Sequence, residues 1–529
     1  MSKKQKQNFI GGAAILTVAC ILVKIIGAIY KIPLGNILGD EGMGHFAAAY
    51  NIYSLLLTLS TAGLPLAISK LVAESRSQGR LNQSRRYFRV GLKLFVVLGA
   101  LGTAIMFFFA EPLALMLHDS LAYWSIRVLS ISVLCVCIMS AIRGYTQGQN
   151  NMIPSAWSQV IEAAGKLLFG LAAAAFVLKQ GYGVEIGAAG AIFGVMAGTV
   201  IALIYMSLWL LRHRHDDPPS ADRPETDGVL LHRILSVGIP ITLGATGMSL
   251  LTLLDQAVIL GRLQNALGIA EKEAVALYGQ YTFGHNLFNL PSSFIPAITM
   301  SLIPSVSAAI VRRDDVQVNR IVSASMRIIA LFALPAGAGL SVLAKPILLL
   351  LYPAQQTAAA AAAYHLQWLG IASIFVCLML LSNSILQAHG RERVPIVTMI
   401  IGGVVKVAMN WILVGNPEIG IKAAPVSTLV CYALISILNL AAVYQTVAQK
   451  PHYLSLFAKP ALCTVLMSIS AALSYRLLAG IFGNVISVFG SICAAVLVYA
   501  VCVLLFRVIT RDDLLLLPKG DKIAKLLRI

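Results

Sequence analysis

The sequence predicts an all-α polytopic membrane protein of fourteen transmembrane helices: two six-helix lobes in parallel repeat, followed by two C-terminal helices. Three observations predict it. The 529 residues are 58% apolar and only 12% charged, where a soluble domain carries about 25% charged residues. The apolar runs are long enough to cross a hydrocarbon layer of ~30 Å as helices, and the mean hydropathy is +0.82. A polar turn followed by an apolar helix with an internal lysine occurs twice, about 240 residues apart, at 142–170 and 384–410. The net charge of +18 would suit nucleic acid. However, the basic residues fall in short clusters between apolar runs, with no basic face interleaved with aromatics, which argues against a nucleic-acid partner.

The spans fall at 9–37, 46–68, 90–110, 121–142, 155–178, 186–211, 234–260, 274–303, 321–343, 361–386, 394–414, 423–443, 458–478 and 485–506. With the N-terminus inside, inner segments hold 29 of the 40 Lys and Arg, outer segments seven, and spans four. That split predicts a multi-pass protein of the cell membrane with both termini cytoplasmic. Lys24, Gly27 and Pro33 interrupt the first span, so a bend is expected there. The polar stretch Gly39 to Gly44 then turns outside the membrane. The longest polar stretch, with Asp216, Asp217, Pro218 and Pro219, reads as a flexible cytoplasmic linker. The expected division is therefore an N-terminal lobe at 1–211, a linker at 212–230, a C-terminal lobe at 231–450, and helices 13 and 14 with a cytoplasmic tail at 451–529. The doubling recurs in detail. Ala110-Glu111-Pro112-Leu113 resembles Ala344-Lys345-Pro346-Ile347, each closing a third span, and Gly63-Leu64-Pro65 pairs with Leu302-Ile303-Pro304 late in the second. Parallel repeats about an axis along the membrane normal are a transporter design, with the substrate near midplane.

No enzyme motif is found, and no cofactor or metal is expected. The eight cysteines lie in apolar segments and read as packing residues. His285 reads as an interior histidine or a cavity group. The candidates are the charges within spans: Lys24, Arg127, Lys166 and Lys406 against Glu162 and Asp255. Gln147 to Lys166 and Gln387 to Lys406 are both 19 residues, with Pro154 and Pro395 at the helix starts. At 1.5 Å per residue both lysines lie roughly 16 to 18 Å along their helices, about mid-bilayer. A charge there costs several kcal/mol unless it faces protein or water. The positive excess favours an anionic ligand such as phosphate or pyrophosphate. The alternative is mutual pairing, of Glu162 with Lys166 at i,i+4 and of Asp255 with Lys406. Arg127, two turns into its span, could instead reach headgroups. Asn410, one turn beyond Lys406, suits a helix–helix hydrogen bond.

The segments GLPLAISKLVAE (63–74), RGYTQG (143–148) with Pro154, and SQVIE (158–162) resemble the stage V sporulation protein B group. That group is similar to the MurJ lipid II flippases of the multidrug/oligosaccharidyl-lipid/polysaccharide (MOP) superfamily, and the resemblance covers nearly the whole chain. It implies two lobes facing a cationic cavity and a final helix pair that helps hold a polyprenyl tail. Lys24 matches a basic residue on the bent first helix. Tyr30 and Lys31 stand where many MurJ proteins have an Arg-Asp pair, so the sequence departs there. Asp255, Lys406, Asn410 and Thr428 fall near a sodium site of some MurJ proteins, with Lys406 replacing a neutral ligand.

The expected function is therefore that of a flippase. It would carry an undecaprenyl-pyrophosphate-linked saccharide, lipid II or a related polysaccharide intermediate, across the membrane by alternating access. Substrate would meet Lys24, Tyr30, Arg127, Glu162 and Lys166, and coupling or gating would fall to Asp255, Lys406, Asn410 and Thr428. Expected partners are the lipid-linked saccharide, membrane lipids and cell-wall synthesis enzymes. The rival readings are a cation-coupled multidrug exporter of the same superfamily and a non-transporting scaffold for envelope or spore synthesis.

Overall fold

The computed structural model describes residues 3–213 and 220–508, and its regular elements there are helical. The first repeat comprises α1 (Lys3–Thr61), α2 (Leu64–Ser77), α3 (Leu81–Phe108), the short α4 (Ala110–Met116), α5 (Tyr123–Gly148), α6 (Ile153–Lys179) and α7 (Val184–Arg212). The second comprises α8 (Asp227–Asn265), α9 (Glu271–Ser292), α10 (Ile295–Val311), α11 (Asp315–Val342), the short α12 (Ala344–Leu351), α13 (Gln356–Ala388), α14 (Arg393–Leu413) and α15 (Ala423–Thr446). Two further helices, α16 (Tyr453–Ala479) and α17 (Asn484–Leu505), follow.

Among the described residues, twelve stretches are long and apolar enough to cross a membrane, so the expected count of fourteen is not established. The difference lies in two places. Val18–Ser77 forms one continuous stretch where two spans were expected. Within α1 the backbone departs from helical geometry at Gly39 (φ 70°, ψ −171°), a conformation essentially confined to glycine. The break is therefore one residue, not a six-residue turn, and lies beyond Pro33, which stays inside the helix. Gly42 and Gly44 are instead packing positions: a Cβ on Gly42 would meet Val184, and one on Gly44 would meet Val275. The second place is the expected span 274–303, which is divided between α9 and α10, neither of which meets the criterion by itself.

The repeat is visible in the backbone. The helices at the expected third span of each half, α3 and α11, are each 28 residues long. Each leads into its short helix through a residue of nearly the same geometry, Phe109 (φ −103°, ψ 23°) and Leu343 (φ −98°, ψ 22°). The helices that follow, α5 and α13, are the most buried, 72% over their apolar windows. One pairing is corrected. Gly63-Leu64-Pro65 opens α2, and its counterpart in the second half is Phe294-Ile295-Pro296, which opens α10 with the same proline in the first turn; Leu302-Ile303-Pro304 lies further along α10. Proline suits these starts because its missing N–H would have no partner there.

The chain divides into two compact units, Met1–Gly279 and Gln280–Ile529. The division comes after α8, later than the repeat boundary at 212–230, because α8 packs along the first unit for its whole length. Arg86 pairs with Asp227 at 2.7 Å, Thr58 bonds to Ser249 at 2.9 Å, Asn51 donates to Gln256 at 2.7 Å, and Gln264 donates to the His118 carbonyl at 2.6 Å. In the second unit, α11, α13 and α15 share a core of Val322, Met326, Ile329, Cys377, Leu381 and Val443. Six of the eight cysteines are buried, as expected, but Cys20 and Cys493 are exposed.

The described part of the linker is docked rather than loose. Both oxygens of Asp222 accept consecutive amides at the start of α3, from Asn82 and Gln83, each at 2.9 Å. Gln83 returns a bond by accepting from the Glu225 amide at 2.8 Å. Arg80, which precedes α3, supplies no side-chain cap, so Asp222 satisfies helix-start donors that would otherwise lack partners. The stretch 214–219, with His215, Asp216, Asp217, Pro218 and Pro219, and the tail 509–529 lie outside the described residues.

The α6–α7 seam is made of glycine. A Cβ on Gly165 would collide with Gly198, and one on Gly194 with Gly170; one on Gly198 would meet the Glu162 carbonyl at 2.6 Å and the Lys166 amide at 2.9 Å. Small residues at such spacing let membrane helices approach to backbone contact.

Two outcomes follow from this packing. Gly198→Ala lowers the unfolding temperature in detergent, an overpacking cost of about 1–3 kcal/mol, whereas Gly339→Ala, with open space around its Cα, does not. Partial burial pushes the Asp222 carboxyl up, but its bonds from Ser220, Asn82 and Gln83 outweigh this and hold it below its ordinary value. Its stabilisation is therefore complete above the ordinary carboxylate range near 3.9 and lost as pH falls through the lower folded value. Asp222→Ala removes a cap of about 1 kcal/mol and speeds hydrogen exchange at the Asn82 and Gln83 amides several-fold at neutral pH.

Candidate functional site: a charged cluster on α1, α5 and α6

The spacing of polar residues on α1 and α6 places them in two facing stripes. On α1, Cys20, Lys24, Gly27 and Lys31 recur every three or four residues; on α6, Ser158, Gln159, Glu162 and Lys166 do the same. The two helices meet in register. The Cys20 thiol donates to Gln159 Oε1 at 3.5 Å. One turn or two further, a Cβ on Gly27 would lie 3.8 Å from Lys166 Nζ. Lys166 Nζ also stands 5.9 Å from the Tyr30 ring centre, within cation–π range. Glycine at 27 thus leaves the space into which the lysine head reaches.

Glu162 finds its partner on α5 and not in the alternative pairing with Lys166 four residues on. Its Oε2 accepts from Arg143 Nη2 at 3.2 Å, and Arg143 Nε donates to Ser158 Oγ at 2.8 Å. Neither member of this pair is sealed: Arg143 is 15% and Glu162 26% exposed. Arg143 lies one residue past the expected end of its span at 142; α5 continues to Gly148, which carries Arg143 inside the helix and into the cluster. The only signal of this in the sequence was the RGYTQG segment itself.

The neighbourhood is strongly positive. Cys20 feels both Lys24 and Arg143, and Lys31 feels Lys166. Lys31, one turn beyond Gly27 on α1, is half-buried beside the cluster. Among the described residues, Lys24, Lys31, Arg143 and Lys166 thus share this region with the carboxylate of Glu162. Tyr53, fully buried, adds a hydroxyl within electrostatic reach of Glu162 and Arg143.

The other expected residues are placed as follows. Tyr30 is 2% exposed and donates its hydroxyl to the Ala191 carbonyl at 3.1 Å, so it fastens α1 to α7 and offers the cluster its ring. Arg127 is not brought there: it is exposed on α5, its guanidinium 5.4 Å from the Phe107 ring and 6.0 Å from that of Tyr123. Asp255 is buried on α8, in the first unit. Lys406, Asn410 and Thr428 are buried in the second. There Ser427 donates to Asn410 Oδ1 at 2.5 Å, and Thr428 lies 3.3 Å from the Tyr281 hydroxyl. The Tyr281 ring stands 5.8 Å from His285 and 5.7 Å from His365. Among the described residues, no group of three or more His, Cys, Asp or Glu could hold a metal ion.

The segments that carried the family resemblance prove to be one packed unit. A Cβ on Gly144 would meet the Pro65 carbonyl, and one on Gly148 the Ser69 carbonyl, both at 2.7 Å; 63–74 is therefore the bed on which the end of α5, with Arg143, lies.

Residues 9–310 match the family described as Polysaccharide biosynthesis protein, and residues 269–412 match MatE. In Bacillus subtilis (strain 168), the chain is similar to Stage V sporulation protein B, 26% identical over 530 residues covering 97% of this chain and 98% of that one. It is also similar to Lipid II flippase MurJ of the same organism, 27% identical over 418 residues, 75% of this chain and 76% of that one. A solved structure of lipid II flippase MurJ in an inward closed conformation superposes with a TM-score of 0.72 at 14% identity, covering 93% of this chain and 98% of that one. An inward-facing multidrug resistance MATE transporter of the MOP superfamily superposes at 0.67 and 16% identity, covering 82% and 98%. The fold is thus the one these membrane transporters share, and with more than half its length matched, the chain belongs to the polysaccharide biosynthesis protein family.

Proposed function

We infer that the protein is a flippase that translocates an undecaprenyl-pyrophosphate-linked saccharide, lipid II or a related polysaccharide intermediate, by alternating access. The observation that carries this is the convergence of basic side chains from α1, α5 and α6, set within stretches able to cross a membrane. A charge at that depth costs about 2.5–3.5 kcal/mol or more unless it faces protein, water or a ligand, and basic groups gathered together suit a phosphorylated headgroup. Lys24 and Lys166 hold the phosphates, while the polyprenyl tail stays in lipid. The similarity to Lipid II flippase MurJ over three quarters of both chains supports the reading. The Lys and Arg distribution supports cytoplasmic termini, which would present the site to a precursor made inside, next to cell-wall synthesis enzymes.

The MatE match favours one second reading, a cation-coupled drug exporter. An organic cation would be repelled by four positive groups facing one carboxylate. Expression of the protein therefore leaves resistance to cationic drugs unchanged; a rise in the inhibitory concentration that is lost in Glu162→Gln would establish the exporter.

The flippase reading is tested by complementation of a strain depleted of its own lipid II flippase, read as accessibility of the precursor at the outer leaflet. The wild type restores it. Lys24→Ala and Lys166→Ala each lower the rate about 10- to 100-fold, the scale of one lost charged hydrogen bond, and the arginine variants recover most of it. Wild-type rates in both alanine variants would end the proposal.

Asp255, Lys406, Asn410 and Thr428 are assigned to coupling or gating, with the Lys406 ammonium standing in place of a cation. Lys406→Ala then makes transport in vesicles depend on sodium or pH differently from wild type; identical ion profiles would remove the assignment.

A further inference from the structure

A carboxylate is out of place in a site for anions, yet Glu162 stands in this cluster beside Arg143. Its placement explains it. Arg143 is anchored without Glu162: Nε donates to Ser158 Oγ at 2.8 Å, and that hydroxyl, fully buried, in turn donates to the Ser155 carbonyl at 2.8 Å. The guanidinium is thus fixed on α6 by a serine, while the edge that carries Nη2 is covered by Glu162 at 3.2 Å. The carboxylate is the more exposed partner, 26% against 15%, and hangs from a flexible side chain. Arginine presents a planar fork suited to bidentate phosphate binding, and here the fork is already occupied by an internal anion.

Resting on the flippase reading, we propose that Glu162 is a specificity-determining residue: a built-in competitor that an incoming headgroup must displace from Arg143, which admits pyrophosphate diesters and excludes the singly charged phosphodiesters of ordinary phospholipids. The physical basis is a comparison of exchanges. A phosphodiester carries one negative charge, as the glutamate does, so swapping one for the other at Arg143 gains little, and the displaced carboxylate then repels the newcomer. A pyrophosphate diester carries two. One phosphate exchanges with Glu162, and the other reaches the lysines beyond, Lys24 next along α1 from Cys20 and Lys166 one turn along α6. The second contact offsets the broken pair. Abundant phospholipids are refused although they share the same phosphate chemistry.

Cys20 reports directly on this point, since its exposed thiol bonds to Gln159 and feels Arg143 and Lys24. The experiment uses the full-length purified protein carrying Cys493→Ser, which removes the other exposed thiol. Alkylation of Cys20 by a maleimide is followed with increasing dimethyl pyrophosphate, a dianionic diester, or dimethyl phosphate, a monoanion. In the wild type, dimethyl pyrophosphate protects at a concentration at least tenfold lower than dimethyl phosphate. In Glu162→Gln, dimethyl phosphate protects about tenfold better than in wild type and the ratio narrows accordingly. Arg143→Ala loses protection by both. Glu162→Asp, which keeps the charge, keeps the wild-type discrimination. An unchanged ratio in Glu162→Gln, a Glu162→Asp that behaves like Gln, or wild-type protection in Arg143→Ala each overturns the proposal. The flippase reading is scored separately by complementation: a wild type that restores outer-leaflet precursor while Glu162→Gln keeps its ratio sinks only the competitor, and a wild type that restores nothing sinks the parent reading.

Discussion

The interaction on which the rest of the structure depends is the electrostatic cost of placing charge in hydrocarbon. Every charged side chain within these helices must be given water, an opposite charge or a dense set of dipoles, and the two units answer differently. In the first, cations gather along facing stripes of α1 and α6 with one carboxylate among them. In the second, Lys406 lies buried on a helix whose polar face continues to Asn410, itself satisfied by Ser427. The first arrangement gathers basic groups and is suited to bind; the second keeps its lysine buried.

That cluster could not form on evenly spaced helices. Glycines at 165, 170, 194 and 198 draw α7 against the back of α6 until backbone meets backbone, so the long side chains of α6 have one direction left, toward α1 and α5. Tyr30 completes the arrangement by crossing from α1 to the α7 backbone at Ala191.

Lys24, Glu162 and Lys166 were legible in the sequence because a charge inside an apolar run is conspicuous, and the doubling of the third span because its caps recur with it. Arg143 was not, since a basic residue near the end of a span looks the same whether the helix stops before it or carries it inward; only the continuation of α5 to Gly148 decides. The partner of Glu162 was misjudged for the same reason, because i,i+4 spacing on one helix is visible in a sequence and proximity between α5 and α6 is not. The break in α1 falls at Gly39, the first residue of the expected Gly39 to Gly44 turn: a proline can be tolerated within a long helix, whereas φ 70° with ψ −171° is a conformation essentially confined to glycine. The linker's polarity was read as freedom, yet part of that polarity is spent capping α3. The counterpart of Gly63-Leu64-Pro65 was misaligned because the motif marks a helix start, and helix starts are set by backbone geometry that residue identity only partly records.

The attachment of α8 to the first unit separates two notions of a boundary that are easily confused. Evolutionary duplication would cut this chain in the linker, before α8; mechanics would cut it fifty residues later, at Gly279. A biologist wishing to express the protein as two polypeptides should cut after α8, in the turn at 266–270 before α9 begins, because a fragment ending at the linker would leave Gln256, Ser249 and Asp227 on one piece and the Asn51, Thr58 and Arg86 that complete them on the other. The seventh long helix, though ancestrally the first of its half, has become a lodger in its neighbour's house.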